Sequence, residues 1–259
     1  MSALELVLLP TAFRYENAER YHAQDPSSDD TKAPPSSITS TPLPAPPTTP
    51  STKDLLSHPI ILLSSLYFLA YVGTETAISG WIVSFMSRSR HASPYLSSLS
   101  SSAFWGGQAA GRLSLGFVSD KLGVRRANVV YLCIAITVQS ILAAFTGLPA
   151  SIAVGLVGIV GFSMGPLYPG GIVLLTQLLP RRLHVAAVSF VGSLGQVGAA
   201  VLPFAIGAVV QGVGIGVFMY VIVGLLGLSL GLWFVFLGLK AKEAVGIQDE
   251  EEEADGEEY

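Results

Sequence analysis

The chain has 259 residues, of which 51% are hydrophobic and 12% are charged. A soluble domain carries about 25% charged residues, so this composition excludes a chain that folds wholly in water. Between Leu55 and Leu239 the sequence contains two acids, Glu75 and Asp120, and we expect that segment to lie in lipid. The net charge of −4 comes mainly from acids in the tails, and it indicates no nucleic-acid partner.

The first 57 residues are predicted to lie outside the membrane, because a bilayer span needs about 20 apolar residues. The apolar piece at 6–9 is typical of the last turns of a helix whose beginning is missing. The start also lacks the basic region of a cleavable signal peptide. Residues 25–53 are rich in Pro, Ser and Thr, which is typical of a disordered segment. We therefore interpret residues 1–57 as the remnant of a preceding helix plus a disordered central cytoplasmic linker.

Six apolar runs follow, and they predict an all-α integral membrane fold, a six-helix transmembrane half-bundle over residues 58–239. The fourth run contains G-P-L-Y-P-G-G, from Gly165 to Gly171. Its two prolines remove backbone donors and predict a break. Residues 240–259 form an acidic tail that we expect to be disordered and cytoplasmic. The predicted helices cover residues 58–86, 95–118, 127–146, 149–178, 184–211 and 215–239.

The basic residues predict the orientation of the bundle. Seven of them fall in connections that alternate along the chain, at 118–126, 180–183 and 240–242. Only Arg88 and Arg90 fall on the opposite side. The sequence therefore predicts that both termini are cytoplasmic, in the plasma membrane or in a vacuolar or other endomembrane.

Glycines recur at four-residue spacing on several predicted helices, as in Gly107-x-x-x-Gly111 and Gly227-x-x-x-Gly231. Membrane helices meet through such small residues, because lipid provides no hydrophobic drive for their association. Two interpretations stay open: tight packing within one bundle, or faces that slide during a transport cycle.

Glu75 lies inside the first predicted helix, where an ionised carboxylate costs at least about 2.5 kcal/mol. It is a candidate substrate or proton site in a water-filled cavity. The alternatives are a structural hydrogen bond to a neighbouring helix or a position near the interface. Three other polar residues are candidates for lining the same cavity: Gln108, Tyr168 and Gln196. Trp81, near the outer end, is also compatible with an interfacial aromatic belt.

Arg112 precedes Asp120 by eight residues, or about 12 Å of helix. Its side chain is expected either to snorkel to the cytoplasmic surface or to form a structural or gating ion pair. The charged residues around Gly123 form a candidate gating loop, in which Asp120 pairs with an arginine or accepts loop amides. A plain solvated loop that sets topology is the alternative. The full candidate set is Gly116, Asp120, Lys121, Gly123, Arg125 and Arg126, with Arg112.

The sequence predicts no enzyme, cofactor or metal site. Three histidines, His58, His91 and His184, fall at predicted helix ends or loops, away from any acid pair suited to metal or aspartyl chemistry. The single cysteine, Cys133, has no partner for an intramolecular disulfide.

The segment G-R-L-S-L-G-F-V-S-D-K-L-G-V-R-R, which ends at Arg126, resembles the signature after the second helix in either half of major facilitator superfamily transporters. The serine before the aspartate departs from that pattern. The segments around Glu75 and Trp105, and P-L-Y-P-G-G with the following L-L-P-R-R-L-H-V, are similar to the fucose-permease-like branch found in fungi. The matching signature residues are Gly116, Asp120, Lys121, Gly123, Arg125 and Arg126.

The resemblance implies a six-helix half of the major facilitator fold, helices seven to twelve, built from two inverted three-helix repeats. It implies transport of a small polar, sugar-like solute by proton-coupled secondary transport, in a truncated half of a transporter. The implied partners are the lipid bilayer, the solute, protons, and a second six-helix half or a second copy. The alternative is a non-transporting interaction or regulatory protein that associates with full-length relatives.

Overall fold

The computed structural model describes residues 58–180 and 183–256, of which 239–256 are described as backbone only. The predictions for residues 1–57, for Arg181 and Arg182, and for the side chains of the acidic tail lie outside this range. The described part of the chain is helical. Its helices are α1 Pro59–Arg88, α2 Pro94–Leu122, α3 Val124–Ala144, α4 Ala150–Met164, α5 Leu167–Leu178, α6 His184–Val213 and α7 Phe218–Gly256, with a 3-10 turn at Ile215–Val217.

Five segments of the described chain are long and apolar enough to cross a membrane: α1, α3, α4 with α5, α6, and Ile215–Gly238. The second helix has 29 residues, about 43 Å, but its serine-rich sequence is less apolar. Ser97 and Ser100 are buried within the protein, so part of its polarity is hidden from lipid. The six predicted crossings are therefore five apolar segments and one more polar helix.

The predicted loop at 118–126 is wrong, because the charged residues belong to two helices. Helix α2 continues to Leu122 and α3 begins at Val124. Gly123 alone reverses the chain, with φ 79° and ψ 133°, a conformation that glycine adopts without a Cβ penalty. Charge marks this membrane surface, but it does not interrupt helical backbone.

The predicted disorder of the acidic tail also differs from the structure, in which α7 continues to Gly256. The segment after residue 239 is rich in Glu and also contains Ala and Lys. These residues have high helix propensity, which favours continuation of the preceding helix.

The predicted break in the fourth span is confirmed. Helix α4 ends at Met164 and α5 begins at Leu167. Pro166 and Pro169 lie at the break, where each lacks the N–H that would continue the helical hydrogen bonds.

The packing of the six spans follows a two-fold pattern. Helix α1 makes its most extensive contacts with α6, and α2 makes its most extensive contacts with α4. Helix α7 packs on α1 as α3 packs on α4, and α3 and α7 pack on each other. Exchanging the first three spans with the last three preserves all of these pairs. Because each repeat has three spans, the two repeats have opposite orientations, as in a half of the major facilitator fold.

Glycines allow close contact in both of the main helix pairs. A Cβ at Gly111 of α2 would clash with the carbonyl of Phe162, and one at Gly198 of α6 would clash with the carbonyl of Leu69. The tight-packing interpretation therefore holds for α2 and α6. Gly227 and Gly231 of α7 are different, since an added Cβ there would meet nothing within 4 Å.

Candidate functional site

Glu75 and Arg112 form an ion pair between the middle of α1 and α2. The distance from Arg112 Nη2 to Glu75 Oε1 is 3.7 Å. The Glu75 side chain is 9% exposed, whereas that of Arg112 is 47% exposed. The ion pair is one of the two options for the Arg112 side chain. Glu75 is paired with a cation, which lowers the cost of a carboxylate at this depth.

The broken fourth span provides a second partner for Arg112. Pro169 has no N–H, so the carbonyl of Gly165, four residues earlier, loses its helical donor. Arg112 Nε donates to that carbonyl at 3.2 Å. Arg112 therefore connects α1 and α2 to the break between α4 and α5.

Tyr71 reinforces the same junction from α1. Its hydroxyl donates to the carbonyl of Met164 at 2.8 Å, at the last residue of α4. Tyr71 also lies one turn before Glu75 on the same helix. The C-terminal carbonyls of α4 are thus satisfied by side chains from two neighbouring helices, as an interrupted membrane helix requires.

The other predicted cavity residues are distributed over the bundle. Gln108 is 1% exposed and lies one turn before Arg112. Its Nε2 atom has no hydrogen-bond partner within the described ranges. Tyr168 packs edge-on against Phe68, with ring centroids 5.0 Å apart. Gln196 is exposed on α6, and none of the four candidates lines the cavity beside Arg112.

A cavity of about 190 Å³ connects Arg112 to part of the predicted gating set. Gly116 and Asp120 line it, whereas Lys121, Gly123, Arg125 and Arg126 do not. The opposite wall is the proline break itself, so the cavity joins two motifs that the sequence shows separately. Its lining is Arg112, Gly116, Ser119, Asp120, Val124, Pro166, Pro169, Gly170 and Val173.

The predicted pairing of Asp120 with Arg125 or Arg126 is absent among the residues that the structure describes, where Glu75–Arg112 is the ion pair present. Asp120 lies in the last turn of α2, and both arginines lie in the first turn of α3. The helix dipole disfavours an acid at a C-terminus and a base at an N-terminus. Helix stability therefore does not explain these positions, and orientation in the membrane remains the simpler explanation.

Ser119, the residue that departs from the family signature, stabilises the turn between α2 and α3 through a side-chain contact. Its Oγ lies 3.2 Å from the hydroxyl of Tyr131 on α3. The Tyr131 hydroxyl also donates to the carbonyl of Leu115 at 3.0 Å. Sequence reasoning missed Tyr131, although its position two turns into α3 could have suggested a contact back to α2.

Arg90 was assigned only as an exception to the charge asymmetry, but it has a structural role. It donates to four carbonyls around the end of α3, those of Leu142, Phe145, Thr146 and Leu148, at 2.8–3.4 Å. A cation at a helix C-terminus is also favoured by the helix dipole. Burial lowers the pKa of Arg90 below its usual value, and the four carbonyls offset the cost of that burial.

Trp81 lies between helices rather than only in an interfacial belt. Its Nε1 donates to the carbonyl of Pro203 in α6 at 3.0 Å. Its ring rests on Gly207, where an added Cβ would come within 2.9 Å of the indole. Trp81 therefore fixes the approach of α1 to α6.

Comparisons with known proteins agree with this architecture. The chain is 27% identical over 229 residues to "Bypass of stop codon protein 6" of Saccharomyces cerevisiae. The matched region covers 83% of this chain and 45% of that protein, so the chain spans about half the length of the relative. The sequence model of the Major Facilitator Superfamily matches residues 30–256. With its all-helical fold of paired repeats, this multi-pass membrane protein belongs to the Major Facilitator Superfamily.

Proposed function

We propose that the chain is one half of a proton-coupled secondary transporter for a small polar solute. The observation that carries the proposal is the Glu75–Arg112 ion pair, at 3.7 Å. Ionisable residues inside membrane spans are costly, and they commonly mark solute or proton pathways. A paired carboxylate that can exchange its partner provides a site for a coupled proton.

The proposed division of the chain is the remnant of a preceding helix plus a disordered central cytoplasmic linker over residues 1–57, the six-span half at 58–239 and an acidic cytoplasmic tail at 240–259. The second wall of the solute pathway comes from another six-helix half. In this proposal both termini face the cytoplasm, together with the turn at Gly123. The sugar-like character of the solute rests on the resemblance to the fucose-permease-like branch.

Gln108, Tyr168 and Gln196 remain candidate cavity residues in this proposal. Gln108 offers a buried amide without a partner in the described structure, and Gln196 is exposed on α6. The 190 Å³ cavity is the proposed gate, because its walls belong to α2, α3 and the break of the fourth span. Movement at the break would change the distance between Pro169 and the wall formed by Arg112 and Asp120, and so the width of the cavity.

The test is uptake of labelled hexoses into proteoliposomes that contain the full chain, under an inward proton gradient. The expected result is uptake that depends on the gradient, from the chain alone or with a co-expressed N-terminal six-helix half. Glu75→Gln should abolish the dependence on the gradient, whereas Arg88→Gln, at an exposed arginine, should not.

Absence of hexose uptake in both preparations would exclude a sugar-like solute. Co-purification with a full-length relative, without any flux, would instead support the alternative of a regulatory membrane protein.

A further inference from the structure

We infer that Arg112 binds the carboxylate of a small organic anion and that Glu75 takes up one proton when this anion binds. The inference rests on the proposed transport function and specifies its substrate class, a monocarboxylate small enough for the cavity beside Arg112. A neutral sugar would not use the same charge exchange.

Arg112 has unused hydrogen-bonding capacity. A guanidinium has five N–H donors, and Nε is occupied by the Gly165 carbonyl at 3.2 Å. Nη2 lies 3.7 Å from Glu75, which is an ionic contact but too long for a hydrogen bond. The side chain is 47% exposed. The outer edge of the guanidinium is therefore open to a carboxylate, which arginine binds in a bidentate geometry.

Charge balance determines what enters with the anion. The Glu75–Arg112 pair is neutral when both groups are ionised. If the carboxylate of the ligand binds Arg112, Glu75 no longer has a cation beside it at mid-bilayer depth, where an ionised acid is costly. Protonation of Glu75 removes that charge, so the site remains neutral when one proton binds with one monoanion.

Within the described chain, Glu75 and Arg112 are the two charged groups that take part in this exchange. Arg112 of α2 and Tyr71 of α1 are the titratable or charged groups beside it. On the other described helices that pack against α1, Tyr168 of α5 contacts Phe68, about two turns away. His184 is the first residue of α6 and Tyr220 the third residue of α7, so both lie near helix ends.

The space beside Arg112 sets the size of the ligand. The cavity of about 190 Å³ corresponds to roughly six water molecules at about 30 Å³ each. Asp120 lines the same cavity, about 12 Å further along α2. The anion's carboxylate is therefore placed at the Arg112 end, away from Asp120.

The test measures equilibrium binding to the full chain in lipid nanodiscs, using gluconate and its neutral counterpart glucitol, with lactate and 1,2-propanediol as the smaller pair. Calorimetry at about pH 5.5 and about pH 7.5 gives the affinities, and buffers of different ionisation enthalpy give the protons taken up. The expected result is binding of at least one carboxylate in preference to its neutral counterpart. Its affinity should rise as pH falls, by up to about tenfold per unit, with one proton taken up.

Variants separate the two roles. Glu75→Gln removes the competitor for Arg112, so anion binding at about pH 7.5 should tighten and lose its pH dependence. Arg112→Gln should abolish binding. If that variant does not fold, Arg112→Lys keeps the charge but loses the planar edge, and it should weaken binding about tenfold or more. Arg88→Gln, the exposed arginine control, should bind as the unaltered chain does.

The inference is overturned if neither anion binds to the unaltered chain or to the Glu75→Gln variant, or if binding is equal for the neutral counterparts. It is also overturned if anion affinity does not change with pH. A chain that binds the anion without moving it would contradict the transport proposal and leave this inference standing. Proton-coupled transport of a neutral hexose, without binding of either anion, would support the transport proposal and overturn this inference.

Discussion

Arg112 is the residue on which the candidate site depends, because it contacts two groups that lack other strong partners. One is the Glu75 carboxylate in the middle of α1, and the other is the Gly165 carbonyl, which has no helical N–H donor because residue 169 is a proline. Replacing Arg112 therefore affects both the charge of Glu75 and the end of α4. The sequence indicates each component, but it does not indicate that one side chain serves both.

Arg90 provides a prediction at the level of a single residue. Arg90→Gln should destabilise the bundle by about 1 kcal/mol, because the end of α3 loses its cation and its hydrogen bonds to four carbonyls. Thermal unfolding in detergent measures the change. Arg88→Gln, at an exposed arginine in the last turn of α1, should lower the midpoint less, because it loses only a helix-dipole interaction. Equal midpoints for both variants would contradict the capping role.

Helix α2 provides a prediction at the level of an element. Gly111→Ala should separate α2 from α4, because the new Cβ would clash with the backbone of Phe162. The expected loss is about 1–3 kcal/mol, typical of overpacking. Gly116→Ala is the matched control on the same helix, since a Cβ there meets nothing within 4 Å. Unfolding in detergent should distinguish the two variants, and a Gly111→Ala protein as stable as the control would contradict the packing.

The broken fourth span could be predicted, because Pro166 and Pro169 act through local backbone chemistry. The 118–126 loop could not be excluded from sequence, because charge is equally compatible with a loop and with helix ends. The Glu75–Arg112 contact depends on the rotation of two helices about their axes. Their weak amphipathicity in a membrane-facing bundle does not specify that rotation.

The spans over residues 59–238 are organised as two inverted repeats, which places α1 and α2 of the first repeat beside α6 and α4 of the second. This arrangement puts the turn at Gly123 on one membrane surface and the Arg90 cap on the other. The orientation of the molecule then decides which surface is cytoplasmic.

Cysteine labelling tests that orientation. Starting from Cys133→Ser, we expect Lys121→Cys to react with an impermeant maleimide only after the cells are permeabilised. Ser89→Cys, which is exposed near the opposite end of the bundle, should react from outside intact cells. The reverse pattern would contradict cytoplasmic termini. With six crossings, both ends of the bundle lie on the same side of the membrane as the turn at Gly123, which follows the second crossing.

The most direct test of the account is a double-mutant cycle on Glu75 and Arg112. Each single change, Glu75→Gln or Arg112→Gln, leaves one charge without its partner in the membrane, so each should lower the unfolding midpoint. The double variant should recover part of the loss, with a coupling of about 0.5–3 kcal/mol. Single losses that simply add in the double variant would show that the two side chains do not act as a pair, and they would contradict the site from which the proposed function is derived.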